Sequence, residues 1–329
     1  MSSNRSRANE DWAGKWEPVQ LDSLSHIRKA MFFLIYIPTS GDRVRSATLR
    51  KREESVMAVI TISRGSYSKG KEVAALVAQK LGYRCVAREV ILDACKEFNI
   101  PEVQLIRAIH DAPSILERFT HGKEKYVGFF RAAFLKQLVS DNVVYHGLAG
   151  HFFLEGVAHA LKVRIISDME DRVKTEMDRE KVSREEALRV LKADDEERRK
   201  WSQNLYGIDT ADPSLYDLVI HIRDITVESA AEIICAVASS ARFRTTPESQ
   251  KTLSDMALAA EVGAAVIGIK PDARIQADDG LVTVEMKVSI DEKKVGLDKQ
   301  VEKLVKAVPG VTDVRMKALE TVKGRPYFS

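Results

Sequence analysis

Gly65, Gly70 and Lys71 stand in the spacing G-x-x-x-x-G-K, directly after the apolar run Val59-Ile-Thr-Ile-Ser63-Arg64 and directly before a helical stretch. That order suits a loop whose backbone N–H groups, aided by the positive end of the next helix, cradle phosphate. Gly65, Ser66, Tyr67, Ser68, Lys69 and Gly70 would line such a loop, and Lys71 would reach the outer phosphates. Glu72 follows where a Ser or Thr hydroxyl would hold magnesium, and Tyr67, Ser68 and Lys69 are bulkier than usual loop residues. A carboxylate at 72 is either repelled by a bound triphosphate or enlisted on its metal. The competing reading is a tight strand-to-helix turn that binds nothing.

The elements that would hold this loop follow a regular alternation. Val59–Ser63, Arg84–Ala87, Val143–His146, Val163–Ser167 and Leu218–Ile222 are short apolar runs flanked by helix-like stretches. Strands alternating with helices predict crossover connections, hence an α/β three-layer fold with a mainly parallel sheet of about five strands. Val73, Val77 and Leu81 recur four apart on one helical face, and Gly82 follows as a stop. Residues 99–141 read as helical with interruptions at Pro113 and Gly122, and residues 168–206 as a second, highly charged helical excursion. These elements span a domain at residues 58–242.

Thr245, Thr246 and Pro247 read as a linker into a smaller unit, residues 248–322. A helix is expected near Asp255–Ile267. Val282, Val284, Met286 and Val288 alternate with polar residues as in a half-buried strand. Val301, Leu304, Val305 and Val308 then mark an amphipathic helix ended by Pro309-Gly310, and Val314, Met316 and Ala318 alternate again. The predicted order is αββαβ, a small α+β domain. Its removal from Thr246 onward is expected to leave nucleotide affinity intact.

Composition narrows the function classes. The chain has 329 residues, 45% hydrophobic and 30% charged, enough for a substantial core. Cys85, Cys95 and Cys235 are too far apart for a paired zinc motif and too few for a disulfide framework, which fits a reducing cytoplasm. The apolar run Ala30–Pro38 is far short of the roughly 20 residues of a membrane helix, so no transmembrane segment is expected. Residues 1–57 hold 10 Lys/Arg against 7 Asp/Glu; the rest balances at 41 against 41, which argues against a nucleic-acid partner. Those first residues read as a loosely ordered or disordered extension, and Met57 is a candidate translation start.

The motifs, taken in order, resemble the cytidylate kinase-like family, a branch of the P-loop nucleoside monophosphate kinases. Val59 to Glu72 carry the likeness first, then Arg88-Glu89-Val90-Ile91 and Asn142-Val-Val-Tyr-His-Gly147. Val163-Arg-Ile-Ile, Asp195-Glu-Glu-Arg198 with Trp201, and Asp212-Pro213-Ser-Leu-Tyr216-Asp217-Leu218 continue it. The resemblance implies ATP phosphates at Gly65 to Lys71 and a mobile helical lid over them. Arg198 would act from that lid with Asp195 and Arg199, and Arg179 and Arg184 would stand at its start. Lys71 and Arg198 would be the catalytic pair, with ATP and Mg2+ as cofactors and no metal held by protein ligands alone.

The acceptor side departs from the family. Gly147-Leu148-Ala149-Gly150-His151 replaces Gly-Arg-Cys-Ala-Asp, and Ala87 replaces an Asp before Arg88. Arg88, Arg107, His110, Asp111, Arg118 and His146 are the substitute acceptor-binding candidates, with His151 nearby in sequence. Asp279-Gly280-Leu-Val-Thr-Val and Val308-Pro309-Gly310-Val311-Thr-Asp-Val314 resemble a BON domain, which implies a protein or phospholipid partner. Two functions follow from the whole. One is a cytoplasmic ATP-dependent kinase of a nucleoside monophosphate or similar small phosphate acceptor. The other is a catalytically inactive nucleotide sensor that reports through its BON-like unit.

Overall fold

The computed structural model describes residues 58–65, 68–88, 122–148, 150–289 and 296–321. The expectations for residues 1–57 and 99–121 fall outside them.

The first sheet is built from β1 (Val59–Arg64), β2 (Arg84–Ala87), β3 (Val143–His146), β4 (Ala160–Ser167) and β5 (Leu218–Ile222). Its order is β2-β3-β1-β4-β5 and every pairing is parallel. β4 starts three residues before the expected Val163, because Ala160 and Leu161 are themselves buried against β1. The chain leaves β1 toward β2 and β3 on one side and toward β4 and β5 on the other. The carboxyl end of β1 is therefore the switch point where α/β sheets bind ligands.

β1 is covered on both faces, as a central parallel strand must be. Val59 packs into one apolar cluster and Ile60 and Ile62 into another, following the two-residue period of a strand. The Ile60 side is closed by α1 (Gly70–Leu81) and, between β5 and the second unit, by the helix Val227–Ala238. Gly82 ends α1 at φ 69°, the left-handed cap expected of glycine. The Val59 side is closed by α2 (Gly122–Leu138), whose Tyr126, Phe130 and Phe134 form an aromatic row. Beyond β4, α3 (Met169–Glu180) and α4 (Arg184–Tyr206) make up the charged helical excursion. Numbering the helix Val227–Ala238 as α5, the next helix is α6 (Pro247–Val266).

The linker expectation at Thr245–Pro247 is corrected by α6. Thr246 is its N-cap, exchanging hydrogen bonds with Ser249 in a capping box, and Pro247 sits at the first helical turn. The same residue types that mark a loop also start a helix, because proline lacks the N–H that the first turn leaves unbonded. α6 thus begins eight residues before the expected Asp255.

α6 has two apolar faces. Leu253, Ala257, Ala260 and Ala264 enter the cluster of Tyr126, Phe130 and Phe134. Val262 and Val266 enter a separate cluster with Val282, Val284, Met286, Val301 and Val305. That second cluster belongs to β6 (Arg274–Asp278), β7 (Leu281–Ser289), α7 (Leu297–Lys306) and β8 (Asp313–Thr321), the αββαβ order expected. β6 and β7 are an antiparallel hairpin turned at Asp279 (φ 49°) and Gly280 (φ 85°), the Asp-Gly pair such turns favour. β7 and β8 are parallel, so α7 supplies the crossover between them. Among the described residues, no helix is long and apolar enough to cross a membrane.

Candidate functional site

A cleft of about 280 Å³ opens at the carboxyl ends of β1 and β4. Ser63, Arg64, Gly65 and Ser68 line it from β1 and the following turn. Arg164 comes from β4, Arg172 from α3, and Asp195, Arg198 and Arg199 from α4, with Asp209 and Thr210 beyond. Five arginines face two aspartates there, so the cleft is built for anions.

The strand-to-helix turn accounts for part of that charge. Ser68 Oγ donates to the Gly65 carbonyl at 3.0 Å, and Lys69, at φ 64°, is the residue before α1. Lys69 makes no side-chain cap bond to α1, and the N–H groups of that first turn, with no capping side chain among the described residues, suit an anion. A Cβ on Gly70 would lie 2.7 Å from Arg64 Cβ and 2.8 Å from its Cδ. Only glycine there lets the Arg64 side chain lie across the helix start. Arg64 Nε is buried without a hydrogen-bond partner.

Two of the arginines are committed to carboxylates. Arg172 grips Asp195 through both terminal nitrogens at 2.8 Å, and it is buried, 7% exposed. Arg199 pairs with Asp209 at 3.0 Å. Arg164 donates to the Thr210 carbonyl and lies 3.2 Å from the Tyr216 hydroxyl, which donates to Thr210 at 2.9 Å. Arg198 forms no hydrogen bond or ion pair among the described residues. Burial pushes its pKa below the usual guanidinium range, and Arg64 and Arg88 push the same way against Asp194 and Asp195. An anion seated beside Arg64 and Arg198 would relieve that repulsion.

The expected site residues divide on this geometry. Gly65, Ser68, Asp195, Arg198 and Arg199 come together in the cleft. Lys69, Gly70, Lys71 and Glu72 do not line it, and the Lys71 and Glu72 side chains are exposed. Arg179 pairs with Glu180 at 2.7 Å and Arg184 with Glu170 at 2.6 Å, both at the surface. His146 is buried at the end of β3. Arg88 is taken up by protein. It donates to Tyr126 Oη at 3.0 Å and its guanidinium lies 4.6 Å from the Trp201 ring centroid. Burial works against its charge, but Tyr126, Tyr145 and Tyr206 together outweigh it and the pKa rises. Ser66, Tyr67, Arg107, His110, Asp111 and Arg118 lie outside the described residues. Arg64 and Arg164 stand inside the strand motifs quoted above but are not singled out by them, and Arg172 carries no motif; a basic residue at a strand end is the signal that marks Arg64.

The described residues contain no cluster of three His, Cys, Asp or Glu side chains for a metal. Both cleft carboxylates are held by arginines, so the donor set does not make a protein-held magnesium site.

Residues 59–224, half of the chain, match the model of the cytidylate kinase-like family. The chain belongs to that family. A cytidylate kinase of Sulfolobus acidocaldarius is 27% identical over 182 residues, which is 55% of this chain and 93% of that one. Among solved structures, an uncharacterized protein from Eubacterium ventriosum is similar at a TM-score of 0.44 and 19% identity, over 56% of this chain and 99% of that one. A shikimate kinase from Bacteroides thetaiotaomicron is similar at a TM-score of 0.36 and 10% identity, again over 56% and 99%. As a member of this kinase-like family, the chain is at the coarse level a phosphotransferase, and the family match stops short of α6.

His151 lies beside this site and titrates far from its ordinary range. It is 4% exposed, its ring packed at a tilt against Tyr216 and Phe152, and its Nε2 has no hydrogen-bond partner among the described residues. Burial, then Arg164 and Lys162, push its pKa from 6.5 down to about 3. Below pH 6.5 the unfolded chain takes up a proton that the folded chain refuses. Stability present above that pH is therefore lost progressively as pH falls toward the folded value. The loss reaches about 2 kcal/mol at pH 5. Unfolding free energies from denaturant titrations at pH 7.5 and 5 should differ by that much more in the native protein than in His151→Phe. Equal pH dependence in the two proteins would show that His151 is protonated in the folded state.

Proposed function

We propose that this chain transfers the γ-phosphoryl group of MgATP to a nucleoside monophosphate or a similar small phosphate acceptor. The observation that carries the proposal is the pair Arg64 and Arg198, both without a carboxylate partner among the described residues, facing one cleft beside the uncapped start of α1. An acceptor phosphate oxygen attacks the γ-phosphorus, the bond from that phosphorus to the β,γ-bridging oxygen breaks, and ADP leaves with the electron pair. The negative charge is spread over phosphoryl oxygens throughout, so positioning and fixed cations do the work. The amides of the α1 start and Arg64 hold the donor phosphates. Arg198 approaches from the lid helices, where a guanidinium fork matches phosphate oxygens, and Arg172 holds Asp195 beside it. Closure of α3 and α4 keeps water from the phosphoryl group.

Full-length protein with MgATP should form ADP only when the right acceptor is added. CMP, dCMP, UMP, AMP and GMP make the first panel, with a no-acceptor control. Acceptor-dependent ADP names the base; ADP at the same rate in every tube, acceptor or none, marks a hydrolase and removes the kinase reading. The second reading, a nucleotide sensor without turnover, is favoured by one observation: Lys71 and Glu72 stand outside the cleft. Tight MgATP binding with no ADP from any acceptor would select it. The unit from α6 to β8 serves in either case as a partner-binding module, which its αββαβ order and BON-like motifs support. Exposed Arg274, Arg315 and Lys317 on its sheet favour an acidic protein surface, with a phospholipid headgroup as the alternative occupant.

A further inference from the structure

Arg198 is placed on the cleft by residues that do not touch it. Trp201 follows it by three positions on α4, so the two share a helix face. Trp201 is 5% exposed, its ring 5.8 Å from Tyr126 in an edge-on contact and under the Arg88 guanidinium at 4.6 Å. Tyr206, one turn further on, packs against Trp201, Phe152 and Phe153. The carboxyl half of α4 is therefore seated in an aromatic nest whose floor is α2.

α2 is in turn held by α6. Leu253, Ala257, Ala260 and Ala264 of α6 share one cluster with Tyr126, Phe130 and Trp201. Gln250 Nε2 donates to the Val139 carbonyl at 2.7 Å, the Thr245 hydroxyl to Asp141 at 2.6 Å, and Lys136 pairs with Glu261 at 3.7 Å. At the far end the helices approach so closely that a Cβ on Gly128 would lie 2.6 Å from Ile267 Cδ1. The other face of α6 is the floor of the β6-β7-β8 sheet.

We infer that α6 is a lever through which the C-terminal unit sets the position of the lid helix α4, and with it Arg198. A shift of the sheet unit moves α6, α6 carries α2, and α2 carries Tyr126 and Arg88 beneath Trp201. Tyr126, Gly128 and Ile267 are positioning residues in this scheme. A packed seam of this kind passes on small displacements because close-packed side chains have few alternative arrangements. The inference depends on the phosphotransfer reading only where it says that Arg198 acts on phosphate.

Trp201 makes the test direct. The chain has three tryptophans, and Trp12→Phe with Trp16→Phe leaves Trp201 alone in the full-length protein. Gly128→Leu wedges α2 from α6. Without nucleotide it should shift Trp201 emission to the red and speed amide exchange at residues 198–206 about fivefold, with β1 and β4 exchange unchanged. Ile267→Ala, added to the wedge, should restore both signals. Ile267→Ala alone, should the wedge prevent folding, removes a side chain from the seam and should move the same two signals by about twofold. Folded variants with native Trp201 emission and native exchange at 198–206 would overturn the lever. MgATP and the acceptor are then added. Altered Trp201 signals with no phosphotransfer in any variant would leave the lever standing and remove the kinase reading instead.

Discussion

Arg198→Ala should lower kcat/KM for phosphoryl transfer by about 10³-fold, most of it in kcat, or about 4 kcal/mol of transition-state stabilisation. The size follows from the site. Arg198 is half-buried, forms no ion pair among the described residues, and shares the cleft with Arg64. Its charge is held against repulsion, so the gain when phosphate charge arrives is larger than for a solvated cation. Arg198→Lys should recover part of the rate, since the charge returns without the guanidinium fork. Lys71→Ala should cost less than tenfold, because its side chain lies in solvent outside the cleft. Steady-state kinetics with the acceptor from the panel compare the three. An inactive Lys71→Ala beside a near-native Arg198→Ala would return the central role to the lysine of the G-x-x-x-x-G-K spacing.

That contrast shows where sequence is informative about this site. Val59–Arg64 and Gly70 are legible because their reasons are local: a strand buried on both faces, and a helix start that admits no Cβ against Arg64. Asp195 and Arg198, which meet in the cleft, are legible as neighbours through their spacing in a family motif. Lys71 stands exposed outside the cleft for a local reason too, since one position around a helix turn decides whether a side chain faces a cleft or water. Arg172 is invisible along the chain, and Arg164 is visible only as one residue of a strand motif, with no role attached. Their roles arise from a Tyr216 hydroxyl 52 residues from Arg164 and an Asp195 carboxylate 23 residues from Arg172. Arg88 shows the same limit from the other side. Its chemistry suits an acceptor phosphate, but Tyr126 and Trp201, brought in by α2 and α4, claim it first. The five strands were open to periodicity; the second face of α6 was not, because alanines at 257, 260 and 264 look neutral until a partner helix covers them.

Deleting residues 247–329 should abolish the cooperative unfolding of the phosphotransferase body, against the expectation that the C-terminal unit is separable. Leu253 is fully buried in the cluster of Phe130 and Phe134, and the α2 face it covers would be left to water. Losing one such leucine costs about 3 kcal/mol, and the deletion adds the exposed aromatic row and the unpaired Val139 carbonyl. Set against the 5–15 kcal/mol that is about the whole stability of a typical domain, that sum leaves little margin. Leu253→Ala isolates the effect without truncation and should lower Tm by about 6–12 °C. Val262→Ala, on the opposite face of α6, is buried in the other cluster and should weaken the β6-β7-β8 unit. A truncated protein that melts as sharply and as high as the full chain would make α6 an appendage, and the seam with α2 would then carry neither stability nor the position of the lid.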